Sequence, residues 1–141
     1  MSNENVKKFF SILKSSIKSG ADNGLYSFSK QIINTTIANS KLPKSGRKYP
    51  VIYKNGKKYE NHIASKANYE SAAMLSGDLN DARKFFVQSQ KAIVGVESNI
   101  KYADFIESTR QDTKKAYEEN EKDLENTVLS AIITNIERNL K

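Results

Sequence analysis

Apolar residues recur every three or four positions at both ends of this chain, and alternate with polar ones in its middle. In residues 3–19, Val6, Phe9, Phe10, Leu13 and Ile17 fall at helical spacing. Leu25, Phe28, Ile32, Ile33 and Ile37 continue the pattern, with Pro43 and Gly46 beyond its end. Between the two runs stands GADNG, residues 20–24, which predicts a break or kink and leaves open one bent helix or two. Residues 112–140 form the longest helical pattern. Its stripe is Tyr117, Leu124, Val128, Ile132, Ile136 and Leu140, widened by Leu129 and Ile133.

In the middle the period shortens. YPVIYKNGKKYENHI contains Asn55-Gly56, whose residues tolerate the positive φ of a type I′ turn. A two-residue loop there pairs Ile52 with Tyr59 and sets Lys54 and Lys57 on either side of the turn. Gly77-Asp78 starts a short helix, with Asp78 as its cap and Leu79 and Ala82 inward. Residues 84–98 read as two short strands joined by a tight turn near Ser89-Gln90. Ala92, Val94 and Val96 share one face, Ile93 and Gly95 the other. Residues 102–107 form a short helical or irregular segment. The sum is an α+β fold read as one domain over 1–141. It has a helical region at 3–40, a basic hairpin at 47–63, an elbow and sheet at 64–108 and a C-terminal helix at 112–140.

Composition narrows the function. The chain has 141 residues, enough for a sizeable core, but its apolar content of 38% is below the ~45–50% of ordinary domains. Some apolar area is therefore expected to be completed by partners. There is no cysteine, which excludes disulfides and thiolate metal sites. No apolar run approaches a membrane span, and the N-terminus lacks the apolar core of a secretory signal, so no membrane partner is expected. The net charge is +7. Residues 41–66 carry eight basic residues against Glu60 alone, leaving fifteen of each sign elsewhere, so one segment makes the protein basic.

Catalytic chemistry finds little support. His62 is the single histidine, and Ser65, three residues on, falls on the opposite face of a strand. With carboxylates at no ligand-like spacing, no metal site is read, and the glycines match no phosphate or dinucleotide loop. No catalytic residue and no cofactor is expected. Arg47, Lys48, Tyr53, Lys54, Lys57 and Lys58 mix cations with aromatic rings, as single-strand binders do. The same composition also suits a solvated sheet edge. Glu118, Glu119, Glu121 and Glu125 make the first half of the last helix acidic, with Lys114, Lys115 and Lys122 interspersed. A basic hairpin and an acidic helix in one chain are complementary between subunits, and a heterologous contact of that kind repeats into a ring.

The order of short motifs adds a resemblance. His62-x-x-Ser65 is followed by Glu70 in a small-residue elbow. Ser76-Gly77-x-Leu79, a two-strand hairpin, Tyr102-Ala103-x-x-x-Glu107 and a closing helix come next. This series resembles the tail-completion or head–tail joining family of long-tailed bacteriophages, also described as minor tail components. It covers most of residues 45–108. ANYESAA stands where the family carries Pro-Gly, and Ser108-Thr109 where it often carries Gly-Thr. The resemblance implies a virion protein of the neck or upper tail, made in the host cytoplasm. It implies a homo-oligomeric ring, a hexamer for preference, between connector and tail terminator proteins, near DNA in the lumen. HIASKANYESAAMLSG, residues 62–77, would then be a structural elbow. The alternative is a small basic nucleic-acid-binding protein.

Overall fold

The computed structural model describes residues 2–42, 44, 48–49, 52–54, 57–59, 62–63, 78–97, 100, 103, 107 and 110–140. In chain order these form helix α1 (Asn3–Ser40), strands β1 (Lys48–Tyr49), β2 (Ile52–Lys54), β3 (Lys57–Tyr59) and β4 (His62–Ile63), helix α2 (Asp78–Asp81), strands β5 (Arg83–Gln88) and β6 (Lys91–Val96), and helix α3 (Asp112–Asn139). The fold is α+β. The chain divides into two units that interleave in sequence. Unit 1 holds Met1–Gln31, Phe85–Ile93 and Asn120–Lys141, and unit 2 holds Ile32–Lys84 and Val94–Glu119.

GADNG does not break the first helix. α1 runs unbroken for 38 residues, from a start capped by Ser2, whose hydroxyl accepts the Asn5 N–H at 3.2 Å. Packing in unit 1 explains why two glycines sit inside it. A Cβ placed on Gly20 would lie 2.6 Å from the Cα of Ile132, and one on Gly24 would lie 2.6 Å from the Cα of Val128. α1 and α3 run antiparallel here, so close that a methyl group at either position would strike backbone. The glycines offset their ~1 kcal/mol helix penalty by letting the helices meet.

That approach selects the buried face. Ser16, Gly20, Gly24, Phe28, Ile32, Thr36 and Ser40 are all buried, each four residues after the last. The expected apolar face is corrected accordingly. Phe28 and Ile32 are buried, but Val6, Phe9, Phe10 and Ile17 are exposed. On α3, Tyr117, Leu129, Ile133 and Leu140 are exposed as well, while Leu124, Val128, Ile132 and Ile136 are half-buried. Where the two backbones meet closely, at Gly20 and Gly24, the face takes no side chain, while Phe28 and Ile32 fill it further along α1. Asn135 spans the seam, donating to the Ser16 carbonyl at 2.9 Å and to the Ser19 hydroxyl, and Asn139 donates to Ser16 Oγ at 2.9 Å.

In unit 2, β2 and β3 pair as expected, with Ile52 opposite Tyr59 and Lys54 opposite Lys57. Two residues remain for the connection, Asn55 and Gly56, which lie outside the described residues. β1 and β4 pair with the same offset, Lys48 with Ile63 and Tyr49 with His62. The sequence between β1 and β2 is Pro50-Val51, and proline brings no N–H to a ladder. Ala82 is buried and Leu79 half-buried beside α2, as expected.

β5 and β6 pair around Ser89-Gln90, where the tight turn was expected. Both residues have positive φ, 52° and 60°, the requirement of a type I′ turn, although neither is glycine or asparagine. Within unit 1, α1 holds the turn: Asp22 Oδ1 accepts the Gln90 N–H at 2.8 Å, and Gln90 Nε2 reaches the Lys18 carbonyl at 3.3 Å. Tyr26 meets Phe85 edge to face, centroids 4.8 Å apart. β5 alternates between half-buried and exposed positions. β6 does not: Lys91, Ala92 and Ile93 are exposed and Val94, Gly95 and Val96 half-buried, so burial there follows position along the strand and not which of its two faces a residue is on.

Two outcomes follow from these contacts. Gly20→Ala and Gly24→Ala are each expected to lower stability by roughly 1–2 kcal/mol in urea unfolding, because overpacking against backbone outweighs the ~1 kcal/mol gain in helix propensity. A gain in either variant would mean that the helices do not meet there. Replacing Ser89-Gln90 by Asn-Gly is expected to raise the thermal midpoint, since it relieves two left-handed residues at about 1 kcal/mol each.

Candidate functional site

The sequence-nominated residues fall into three groups. Lys48, Tyr53, Lys54, Lys57 and Lys58 lie on the paired strands of the 48–63 hairpin, and His62 stands opposite Tyr49 in β4. Arg47, Ser65, Glu70, Gly77 and Tyr102 lie outside the described residues. Glu118, Glu119, Glu121 and Glu125 are all exposed on α3, the first two in unit 2 and the others in unit 1. Glu119 accepts a hydrogen bond from Asn39 Nδ2 at 3.1 Å, so that carboxylate already serves its own chain.

Glu107 has a definite job. Its carboxylate accepts the backbone N–H of Thr113 at 3.0 and 3.2 Å and that of Lys114 at 3.4 Å. These are among the N–H groups that a helix start leaves unpaired, and a negative charge there also suits the helix dipole. The backbone is prepared for this. Gln111 N donates to the Glu107 carbonyl at 2.8 Å, and Gln111 adopts φ 54°, which turns the chain into α3.

A buried ion pair among the described residues of unit 2 was not singled out from sequence. Arg83 Nη2 lies 3.5 Å from Asp112 Oδ2, with side chains 4% and 1% exposed. Burial lowers the Arg83 pKa from its ordinary value, while Asp112 and then Glu107 act in the opposite direction. Arg83 Nε donates to Asn80 Oδ1 at 3.4 Å, Asn80 Nδ2 to Ser40 Oγ at 2.8 Å, and Ser40 Oγ to the Ile37 carbonyl at 2.6 Å. The relay joins the ends of α1 and α2 to β5. One signal was available: Arg83 takes a half-buried place in the alternation of β5.

Unit 1 holds an open furrow of about 690 Å³ along one flank of the α1–α3 pair. Its lining is almost wholly amides and hydroxyls, with Asp123 and Arg138 the charged members and Ala131 the apolar one. Gln31 Nε2 already donates to Asn120 Oδ1 at 2.6 Å and Asp123 Oδ2 at 3.3 Å. Nothing in this lining is a nucleophile paired with a base. Among the described residues no cluster of histidine, aspartate and glutamate could hold a metal ion, and no helix is long and apolar enough to cross a membrane.

Compared with protein-family models, curated proteins and solved structures, the chain has no significant match in any of the three.

Asp112→Ala is expected to cost about 3–5 kcal/mol, because it strands the Arg83 guanidinium in the interior. The double replacement Arg83→Met/Asp112→Leu should cost less than Asp112→Ala alone, since both charges then leave together. Denaturant unfolding of the variants measures both.

Proposed function

We propose that this chain is a structural protein of a tailed-bacteriophage virion, a tail-completion or head–tail connector component. It assembles as a homo-oligomeric ring, a hexamer for preference, at the head–tail joint. Its neighbours are the connector and tail terminator proteins, with DNA passing through the lumen. It belongs to the neck or upper tail of the virion, and to the host cytoplasm during assembly. It performs no catalysis and needs no cofactor. Residues 62–77 serve as a structural elbow between hairpin and sheet.

One observation carries the reading. Glu107, the glutamate of the Tyr102-Ala103-x-x-x-Glu107 motif, spends its carboxylate on capping α3. A motif residue that orders the joint between two segments suits a building block, where a free carboxylate would suit an enzyme. The separation of charge gives further support. Residues 41–66 are strongly basic, and Glu118, Glu121 and Glu125 are exposed on α3.

The second reading, a small nucleic-acid-binding protein, draws on the same hairpin. Its ladder sets Lys54 opposite Lys57, an unfavourable pairing of like charges that an anionic partner would relieve.

Light scattering of the purified protein, alone and mixed with purified neck components at low and moderate salt, separates the two. Rings or a complex of defined stoichiometry are expected, and the triple variant Lys54→Glu/Lys57→Glu/Lys58→Glu should weaken that assembly. A chain that ignores the neck components but binds DNA or RNA, with affinity falling steeply as salt rises, would overturn the virion reading.

A further inference from the structure

The furrow of about 690 Å³ in unit 1 leaves many of its hydrogen-bonding groups unused, and their chemistry identifies what it takes up. Both helices line it. Asn23, Ser27 and Gln31 succeed one another every four residues on α1, and Asn126, Ser130 and Thr134 do the same on α3. Four residues of helix rise about 6 Å, so each row repeats at that distance. From Asp123 to Arg138 the α3 side extends for roughly 22 Å. Asn23, Ser27, Asn126, Ser130 and Thr134 are exposed, and their side chains have no hydrogen-bond partner among the described residues.

Two acceptors in the furrow are fixed in place without a donor. Asn135 is only 7% exposed. Its amide nitrogen donates to α1 twice, to the Ser16 carbonyl at 2.9 Å and to the Ser19 hydroxyl. A carbonyl can only accept, so the amide cannot turn over, and the position of Oδ1 is set. That oxygen receives no hydrogen bond among the described residues. It is not sealed off either, since the buried side-chain atom left unpartnered among the described residues is Lys115 Nζ. Gln31, half-buried, repeats the arrangement. Its Nε2 donates to Asn120 Oδ1 at 2.6 Å and to Asp123 Oδ2 at 3.3 Å, which leaves Oε1 oriented and without a donor. At the helical rise, Asp123 and Asn135 stand about 18 Å apart, so the two acceptors serve opposite parts of the furrow.

We propose that this furrow binds a neutral oligosaccharide. A fixed acceptor with no donor calls for an O–H or N–H from a ligand. Carboxamides and hydroxyls, which make up most of the lining, each donate and accept, and the ligand group that does both at one atom is the hydroxyl. Asp123 and Arg138 cancel in charge, so neither a polyanion nor a polycation is favoured. An extended peptide could also lay its amides along rows of this spacing, but peptide recognition draws its specificity from pockets for side chains. Ala131 is the one apolar residue of the lining, which offers a peptide none. The length suits a chain of several sugars over a single one. The site lies wholly within unit 1 and does not depend on the hairpin or on the virion reading.

The test is an NMR titration of the full-length chain, its side-chain amides labelled with nitrogen-15, against maltohexaose, xylohexaose and chitohexaose. At least one sugar should bind with a dissociation constant of about 0.1–1 mM, the weak affinity of a contact made by hydrogen bonds alone. The amide signals of Asn23, Asn126 and Asn135 should move together along one binding curve. Ser130→Leu on α3 and Asn23→Leu on α1 each put an aliphatic group at an exposed lining position. Each should weaken binding by roughly tenfold while leaving helical circular dichroism and thermal midpoint unchanged. The proposal is overturned if none of the three sugars binds at about 5 mM, several times the expected constant. Binding that both leucine variants leave intact would place the sugar elsewhere and overturn it too. Tighter binding of the uncharged peptide Gly-Ser-Gly-Ser-Gly-Ser than of any sugar would assign the furrow to polypeptide instead.

Discussion

The structure of unit 1 depends on how closely two helix backbones approach at Gly20 and Gly24. At that distance no side chain fits between them, so dispersion contacts between backbones and small side chains replace the usual interleaving of large ones. The choice propagates along α1. A residue buried every fourth position gives a row of Ser16, Gly20, Gly24, Phe28, Ile32, Thr36 and Ser40. Such a row carries polar groups, and Asn135 and Asn139 satisfy them where α3 faces it. Of the bulky apolar residues of the pair, Phe28 is buried, while Phe10, Ile17, Leu129 and Ile133 stand in solvent.

Local strain and buried charge are held by contacts that reach across the sequence. Ser89 and Gln90 adopt left-handed backbone without the residue types that make it easy, and Asp22 on α1 secures the turn. Arg83, the first residue of β5, gives up solvent for Asp112 and Asn80, and its guanidinium stays compensated because α2 and the start of α3 each supply a polar partner. A pair of this kind contributes more to uniqueness than to net stability, since its attraction is largely spent against desolvation.

Several buried or half-buried polar groups pair within the chain: Glu107 with the N–H groups of α3, Arg83 with Asp112, and Asn135 with Ser16, while Lys115 Nζ is buried with no hydrogen-bond partner. Exposed positions carry charged, neutral polar and apolar side chains alike.

Periodicity was enough to read the two long helices, the Ile52–Tyr59 register and the turn at Ser89-Gln90, because helical and strand spacing are local properties of the chain. It also identified Leu79 and Ala82 as inward-facing, since a short helix after Gly77-Asp78 has few ways to bury itself. Glu107 was nominated as part of a motif, but its capping role needed the turn at Gln111. What periodicity could not decide was which face of each helix is covered. An apolar stripe says that a face favours burial, and nothing in it says whether the same chain or another supplies the cover. Gly20 and Gly24 read as a break because glycine is flexible in isolation. The fold uses their lack of a side chain instead, and only the position of α3 against them distinguishes the two. The Arg83–Asp112 pair was hidden for the same reason: its members lie 29 positions apart, and a tertiary contact alone makes them neighbours.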